Sequence, residues 1–221
     1  MTATPSPDRR DTFADITRAY SPRYVAALGD VLGIEGGYAD DPADRGGATK
    51  YGISLRFLVR CGQIDRNRDG LADFDLDMDG DIDRRDIQRL TKQDAAWLYH
   101  HYFWKQLGAE DLPKPIGEMV FDQGVNGGLV AARKLLQRAI NACGAHVSDF
   151  QRLAVDGLIG PQTRLQLYAV IEHPGLGLAA LAEAYREQVR ARYRAIVAED
   201  PSQRRFLTGW LARADHLGGA A

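Results

Sequence analysis

For most of its length this chain places apolar residues three and four apart, the spacing of helices that bury one face. Tyr24, Val25, Leu28, Val31 and Leu32 form one such set. It opens at Ser21-Pro22, a side-chain cap followed by proline at the first helical position, and closes at Gly33. A shorter helix over residues 11–19 is expected before it. The spacing predicts another helix from Leu55 to about Cys61, capped by Ser54 and ended by Gly62. Thr91 opens the next, with Asp94 three residues on completing an approximate capping box. Its stripe of Ala95, Ala96, Trp97, Leu98, Tyr99, Tyr102, Phe103 and Trp104 suits either core or a binding platform. Beyond Pro113 and Pro115 the pattern gives a helical stretch at 116–121 and a turn at F-D-Q-G-V-N-G-G. Helices over 129–143, 161–171, 178–198 and 202–217 complete it.

Two stretches break the helical period. Residues 36–50 are rich in glycine and aspartate and read as turns or a short β-hairpin. Residues 64–86 are dominated by aspartate. The expected fold is mainly α, an α+β lysozyme-like arrangement: a helical bundle with a small β-hairpin region near residues 36–53 and an insertion at 64–86. Its expected parts are a lobe from residues 1–63 and 87–118, the insertion, and a helical C-terminal lobe at 119–221, the lobes forming one body.

Composition alters this picture little. With 221 residues, 45% apolar and 26% charged, the chain is long enough to build a core without disulfides. Cys61 and Cys143 lie far apart with no zinc or redox spacing, and read as buried thiols. No apolar run reaches the ~20 residues of a membrane span. The net charge of −2 conceals a local −5 in residues 65–86, so the rest sums to +3, too little to argue for nucleic acid. Five histidines without HExxH-like grouping argue against a zinc hydrolase.

Candidate chemistry sits in E-G-G-Y-A-D-D-P-A-D-R-G-G-A-T-K-Y-G-I-S, Glu35 to Ser54. Glycoside hydrolysis needs one carboxylic acid that stays protonated near neutrality and a second polar group that stabilises positive charge or positions water. Glu35, beside Ile34 and an apolar helix, is placed for desolvation to raise its pKa. Asp44 in its polar loop could stay ionised, and Thr49 could hold a water. The same residues could instead be a helix-end acid and Asx turns at Asp40 and Asp44.

The string E-G-G-Y-x-x-D-P-x-D-x-G-G-x-T-x-x-G-I resembles the signature of glycoside hydrolase family 108, lysozyme-like N-acetylmuramidases found as phage endolysins and secretion-associated murein hydrolases. Tyr102-Phe103-Trp104 and Phe121 to Gly128 resemble further family segments. Leu135-Leu136-Gln137 and Val155 to Thr163 are similar to a C-terminal segment described as a predicted peptidoglycan-binding region. The resemblance covers residues 20–200 apart from 64–86. It implies Glu35 as general acid, with Asp44 and Thr49 assisting as in phage-type lysozymes. Thr49 comes one residue earlier than in that pattern, and Arg45 replaces a proline frequent in the family. Tyr38 and Tyr51 are expected to shape the sugar groove. Asp122 and Asn126 either line it or cap the following helix.

D-L-D-M-D-G-D-I-D-R-R-D, Asp75 to Asp86, matches an EF-hand loop. Asp75, Asp77, Asp79, Asp81, Asp83 and Asp86 fall at the ligand positions, with Gly80 at the turn and Ile82 as the apolar contact. Asp in place of Glu at the twelfth position has a shorter reach. Just upstream Asp65, Asn67, Asp69 and Asp73 repeat the first half of the loop, but Leu76 cannot be its twelfth ligand. One or two Ca2+ ions are expected here, structural or regulatory, ordering a segment whose aspartates otherwise repel one another.

The sequence thus points to a calcium-stabilised or calcium-regulated muramidase. It is expected to act on peptidoglycan as a monomer, without nucleic acid or membrane insertion. The polar N-terminus lacks the apolar core of a secretory signal, so release from a bacterial cytoplasm by a phage holin or an equivalent route is expected. The competing readings are a lytic transglycosylase and a non-catalytic, calcium-dependent wall-binding or secretion-accessory protein.

Overall fold

The computed structural model describes residues 13–32, 37–40, 47–66, 68–145 and 147–219. Two bodies result, one ending at Tyr102 and the other beginning at Phe103. Both are mainly helical, as the apolar spacing predicts.

In the first body α1 (Phe13–Ala19) leads to α2 (Pro22–Leu32), which the Ser21 cap opens: its Oγ accepts the Tyr24 N–H at 3.1 Å. Tyr24, Val25, Ala27 and Leu28 are buried, each large side chain contributing about 1.5–3 kcal/mol of burial. The Tyr24 hydroxyl donates to the Ala96 carbonyl at 2.6 Å, and burial pushes its pKa well above the ordinary tyrosine value.

The small β element is a hairpin of β1 (Thr49–Lys50) and β2 (Ile53–Ser54), pairing Thr49 with Ser54 and Lys50 with Ile53. Its two-residue turn holds Tyr51 at φ 51° and Gly52 at φ 73°, the double positive φ of a tight hairpin. A Cβ at position 52 would lie 2.4 Å from the Tyr99 hydroxyl oxygen, so glycine serves both the turn and the close approach. A bridge between Ala39 and Thr49 adds a third extended segment.

Ser54 caps α3 (Leu55–Cys61) through the Phe57 N–H. The acidic segment then leaves the surface twice, burying Phe74 and Ile82, before α4 (Arg84–Arg89) buries Ile87. The Thr91–Asp94 capping box opens α5 (Lys92–Tyr99). Ala95, Ala96, Leu98, Tyr99 and Trp104 are core, whereas Trp97 is half-buried and lies beneath the Arg66 guanidinium at 4.4 Å. Tyr102 and Phe103 are likewise half-buried, so the small residues, Leu98, Tyr99 and Trp104 are core and the other aromatics lie at its edge.

The helix continues through a π-helical turn, His100–Trp104, into α6 (Lys105–Leu107) and the second body. There α7 (Ile116–Gly127), α8 (Leu129–Gly144), α9 (Pro161–Glu172), α10 (Gly177–Glu199) and α11 (Leu207–His216) form the bundle. The expected turn at 121–128 is instead helix up to Gly127, and Gly128 alone among these residues takes a positive φ, 88°. Packing overrides glycine's low helix propensity: a Cβ on Gly124 would lie 2.6 Å from a Leu107 methyl carbon. The helix expected over 202–217 is split into a 3-10 stretch, Pro201–Phe206, and α11.

Among the described residues no helix is long and apolar enough to cross a membrane.

Candidate functional site

Glu35 and Asp44 lie outside the described residues, as does Asn67. Around them the backbone is defined. Thr49 begins β1, half-buried, with both its N–H and its carbonyl bonded to Ala39 at 2.7 and 2.8 Å. Its hydroxyl donates to the Gly47 carbonyl at 3.2 Å. Tyr38, next to Ala39, is exposed and donates to Asp40 Oδ2 at 3.2 Å. Tyr51 tops the hairpin, its carbonyl accepting from Tyr99 and its ring 5.2 Å from Lys50 Nζ. The hairpin and the Ala39 bridge thus gather Tyr38, Thr49 and Tyr51 onto one small β element.

Asp122 and Asn126 belong to the second body and sit one turn apart on α7. Asn126 donates to the Asp122 carbonyl at 2.8 Å. The Asp122 carboxylate is held by Arg213 of α11, Oδ2 to Nη2 at 2.5 Å and Oδ1 to Nε at 3.2 Å. The N-cap of α8 is Gly128, and the bonds of Asp122 and Asn126 run within α7 and to α11. Asp122 thus ties α7 to α11.

The acidic segment is wound by its own carboxylates. Asp75, 5% exposed, accepts from the Asp79 and Gly80 N–H groups at 3.1 and 2.8 Å. Asp86, fully buried, accepts from Leu76, Asp77 and Asp83 at 2.6, 3.3 and 2.7 Å. One oxygen from each of Asp75, Asp77 and Asp86 lies within 4.8 Å of the others, and so do oxygens of Asp81, Asp83 and Asp86. Asp79 belongs to neither group and holds the Arg85 guanidinium at 2.8 Å. The Asp81 carboxyl is raised above the usual carboxylate range, first by the charge of Asp79 and then by slight desolvation and the charges of Asp83 and Asp86.

Asp77 decides whether these residues suit a cation. Its side chain is 8% exposed; Oδ2 meets Arg89 at 2.5 Å, but Oδ1 is buried with no hydrogen-bond partner. An orphaned buried carboxylate oxygen is costly unless a ligand meets it. Several hard oxygens and no soft donor fit calcium or magnesium.

The half-loop upstream copies the winding. Asp65 accepts from Asp69 and Gly70, and Asp69 from Leu71. Arg68 and Gly70 have the positive φ values of 60° and 90° that Met78 and Gly80 show at 61° and 101°. Asp73, however, is paired with Arg66. Among the described residues no cluster of carboxylate, His or Cys ligand atoms forms there.

In the second body the V-D-G-L-I-G-P-Q-T segment is fastened to α8 by one buried side chain. Gln137 donates to Asp156 Oδ1 at 2.7 Å and to the Leu158 carbonyl at 3.0 Å, and accepts from the Gly157 N–H at 2.8 Å. The Gln137 hydrogen bond, with that from Leu158, lowers the Asp156 carboxyl below its ordinary range.

Residues 28–128 match the family described as Glycosyl hydrolase 108. Those residues form a family 108 glycoside hydrolase domain. The match runs from α2 to the end of α7 and includes Glu35, Asp44, Thr49, the acidic segment, Asp122 and Asn126. Residues 131–215 match a second family, described as Predicted Peptidoglycan domain, beginning within α8 and ending within α11. This family 108 enzyme is thereby a peptidoglycan hydrolase. A solved structure, Brucella abortus SagA, aligns over 90% of this chain and 97% of its own, with 22% identity and a TM-score of 0.55, and so shares the fold. Among curated proteins none matches.

Sequence reasoning missed the Arg213 partner of Asp122 and the Gln137 anchor. Both partners lie far from their acids along the chain, 91 and 19 residues away, so no local spacing reveals them.

Proposed function

We propose that this family 108 enzyme is an N-acetylmuramidase that cleaves the β-1,4 bond between N-acetylmuramic acid and N-acetylglucosamine. The observation that carries the reading is the family match across the whole Glu35–Thr49 motif, on a chain that continues into a peptidoglycan domain. In this reading Glu35 donates its proton to the glycosidic oxygen as the bond to C1 breaks. The Asp44 carboxylate offsets the positive charge developing at C1 and takes one proton from the water that the Thr49 hydroxyl positions, whose oxygen ends on C1 as the new hydroxyl. Tyr38 and Tyr51 supply aromatic surface for the sugar rings.

Digestion of purified murein tests the bond. The expected products end in reducing N-acetylmuramic acid, which borohydride converts to the alditol. Anhydro ends alone would replace this reading with a lytic transglycosylase. Reducing N-acetylglucosamine ends would move the cut to the other bond.

The EF-hand-like loop is proposed to hold calcium through Asp75, Asp77 and Asp86, supported by the orphaned Asp77 oxygen. Bound there, the ion supplies charge neutralisation and order to a segment crowded with carboxylates; it takes no part in the glycosidic chemistry. Calcium at about 100 times its Kd is expected to stabilise the protein by roughly 2.7 kcal/mol, and Asp77→Asn to abolish most of that gain. A thermal midpoint indifferent to both calcium and chelator would remove the site.

A further inference from the structure

The acidic segment ends in α4, and α4 touches the carboxylate loop on both of its flanks. Arg84, the first residue of the helix, lies 3.8 Å from Asp40 Oδ2, the same oxygen that accepts from Tyr38. Four residues later the Gln88 carbonyl accepts from Lys50 Nζ at 2.6 Å. Asp40 precedes Asp44 by four residues and Lys50 follows Thr49 directly, so the two contacts bracket the stretch that carries the proposed helper groups.

From these contacts we infer that Arg84 and Lys50 are positioning residues, through which a cation in the acidic loop fixes the geometry of the catalytic loop. The inference rests on the readings that the loop at 75–86 binds calcium and that the loop at 35–49 performs the chemistry.

Helix α4 has six residues, too few to persist in water by its own hydrogen bonds. Its N-terminus exists because Asp83 accepts from the first turn while Asp86 reaches back to the Asp83 N–H. Asp86 is also one of the three converging ligands. An ion drawn to Asp75, Asp77 and Asp86 therefore braces the end of the helix that presents Arg84. Without it, the like-charged carboxylates of Asp81, Asp83 and Asp86, with oxygens within 4.8 Å of one another, repel across the same turn. Both arms are exposed, and exposed pairs add little stability. Their effect lies in placement. The hairpin itself is held elsewhere, by buried Ala48 and by Tyr99 beneath Gly52. What α4 adds is the setting of the loop's two ends, which affects turnover more than binding.

The test compares the full chain with the double variant Arg84→Gln/Lys50→Met, each with and without calcium. Calcium binding is measured by calorimetry, amide exchange at Ala39 and Thr49 by NMR or mass spectrometry, and kcat and KM on soluble glycan strands. In the wild-type protein calcium is expected to slow exchange at both amides roughly tenfold and to raise kcat with KM little changed. The double variant is expected to bind calcium within about threefold of wild type, since screened surface charges act weakly, yet to lose both responses. Calcium effects of full size in the double variant would overturn the inference while leaving the calcium site standing. Absence of calcium binding to the wild-type protein would remove the metal reading and this inference with it. A calcium-dependent slowing that the variant loses, in a protein that cuts no murein, would support the positioning role and refute the muramidase reading.

Discussion

Glu35→Gln is expected to lower hydrolysis of purified murein by about 10²- to 10⁴-fold, the usual contribution of a positioned general acid. The substituted amide has nearly the shape of the carboxylic acid but no proton to give at the pH where the enzyme works. A sugar alkoxide is a poor leaving group, so losing protonation at the glycosidic oxygen raises the barrier directly. In the sequence Glu35 follows Ile34 and the apolar run of α2, the order from which desolvation in favour of the protonated form is expected. The change exchanges one neutral group for another of nearly the same shape, so the thermal midpoint is expected to move by less than ~2 °C. Equal lysis by variant and wild type would remove Glu35 as the acid. No lysis by either would make the chain a wall-binding protein.

What the sequence makes legible here is mostly local. Ser21-Pro22, Ser54 and the Thr91–Asp94 box each cap a helix because cap and helix lie within three residues of one another. The hairpin was readable as glycine-rich turn chemistry. The 121–128 segment was not, because Gly124 is helical for a reason that sits on Leu107, in a different element. The acidic loop was legible as a pattern of alternating aspartates around Gly80. Its division into Asp75, Asp77 and Asp86 on one side and an Asp79–Arg85 pair on the other depends on how the arginines of α4 fold back, which no spacing encodes. The same holds for Lys50 and the Gln88 carbonyl, 38 residues apart. The motif supplies the residues proposed to act; the contacts around them come from tertiary structure.

Asp86 should be the most sensitive position in the acidic segment, and two substitutions there separate its two roles. Asp86→Ala removes a fully buried carboxylate that accepts three N–H groups and completes the capping box of α4. A lost cap costs about 1 kcal/mol, and each unsatisfied donor to a charged group adds to this. A total near 3 kcal/mol is expected. For a body of this size that lowers the midpoint by roughly 12–24 °C. Asp86→Asn keeps an oxygen that can accept from Leu76 and Asp77 while removing a negative charge from the cluster. The charge of Asp86 is among those that push the Asp81 carboxyl upward, so its removal relieves repulsion in the metal-free protein. The metal-free midpoint of Asp86→Asn should therefore fall far less than that of Asp86→Ala. Its calcium response should nevertheless disappear, because an amide is a poor substitute for an anionic ligand shared by both oxygen clusters. Calorimetric melting of both variants, with calcium and with chelator, checks the pair. Equal losses without metal would make Asp86 purely a charge partner. A preserved calcium shift in Asp86→Asn would place the ion elsewhere on the chain.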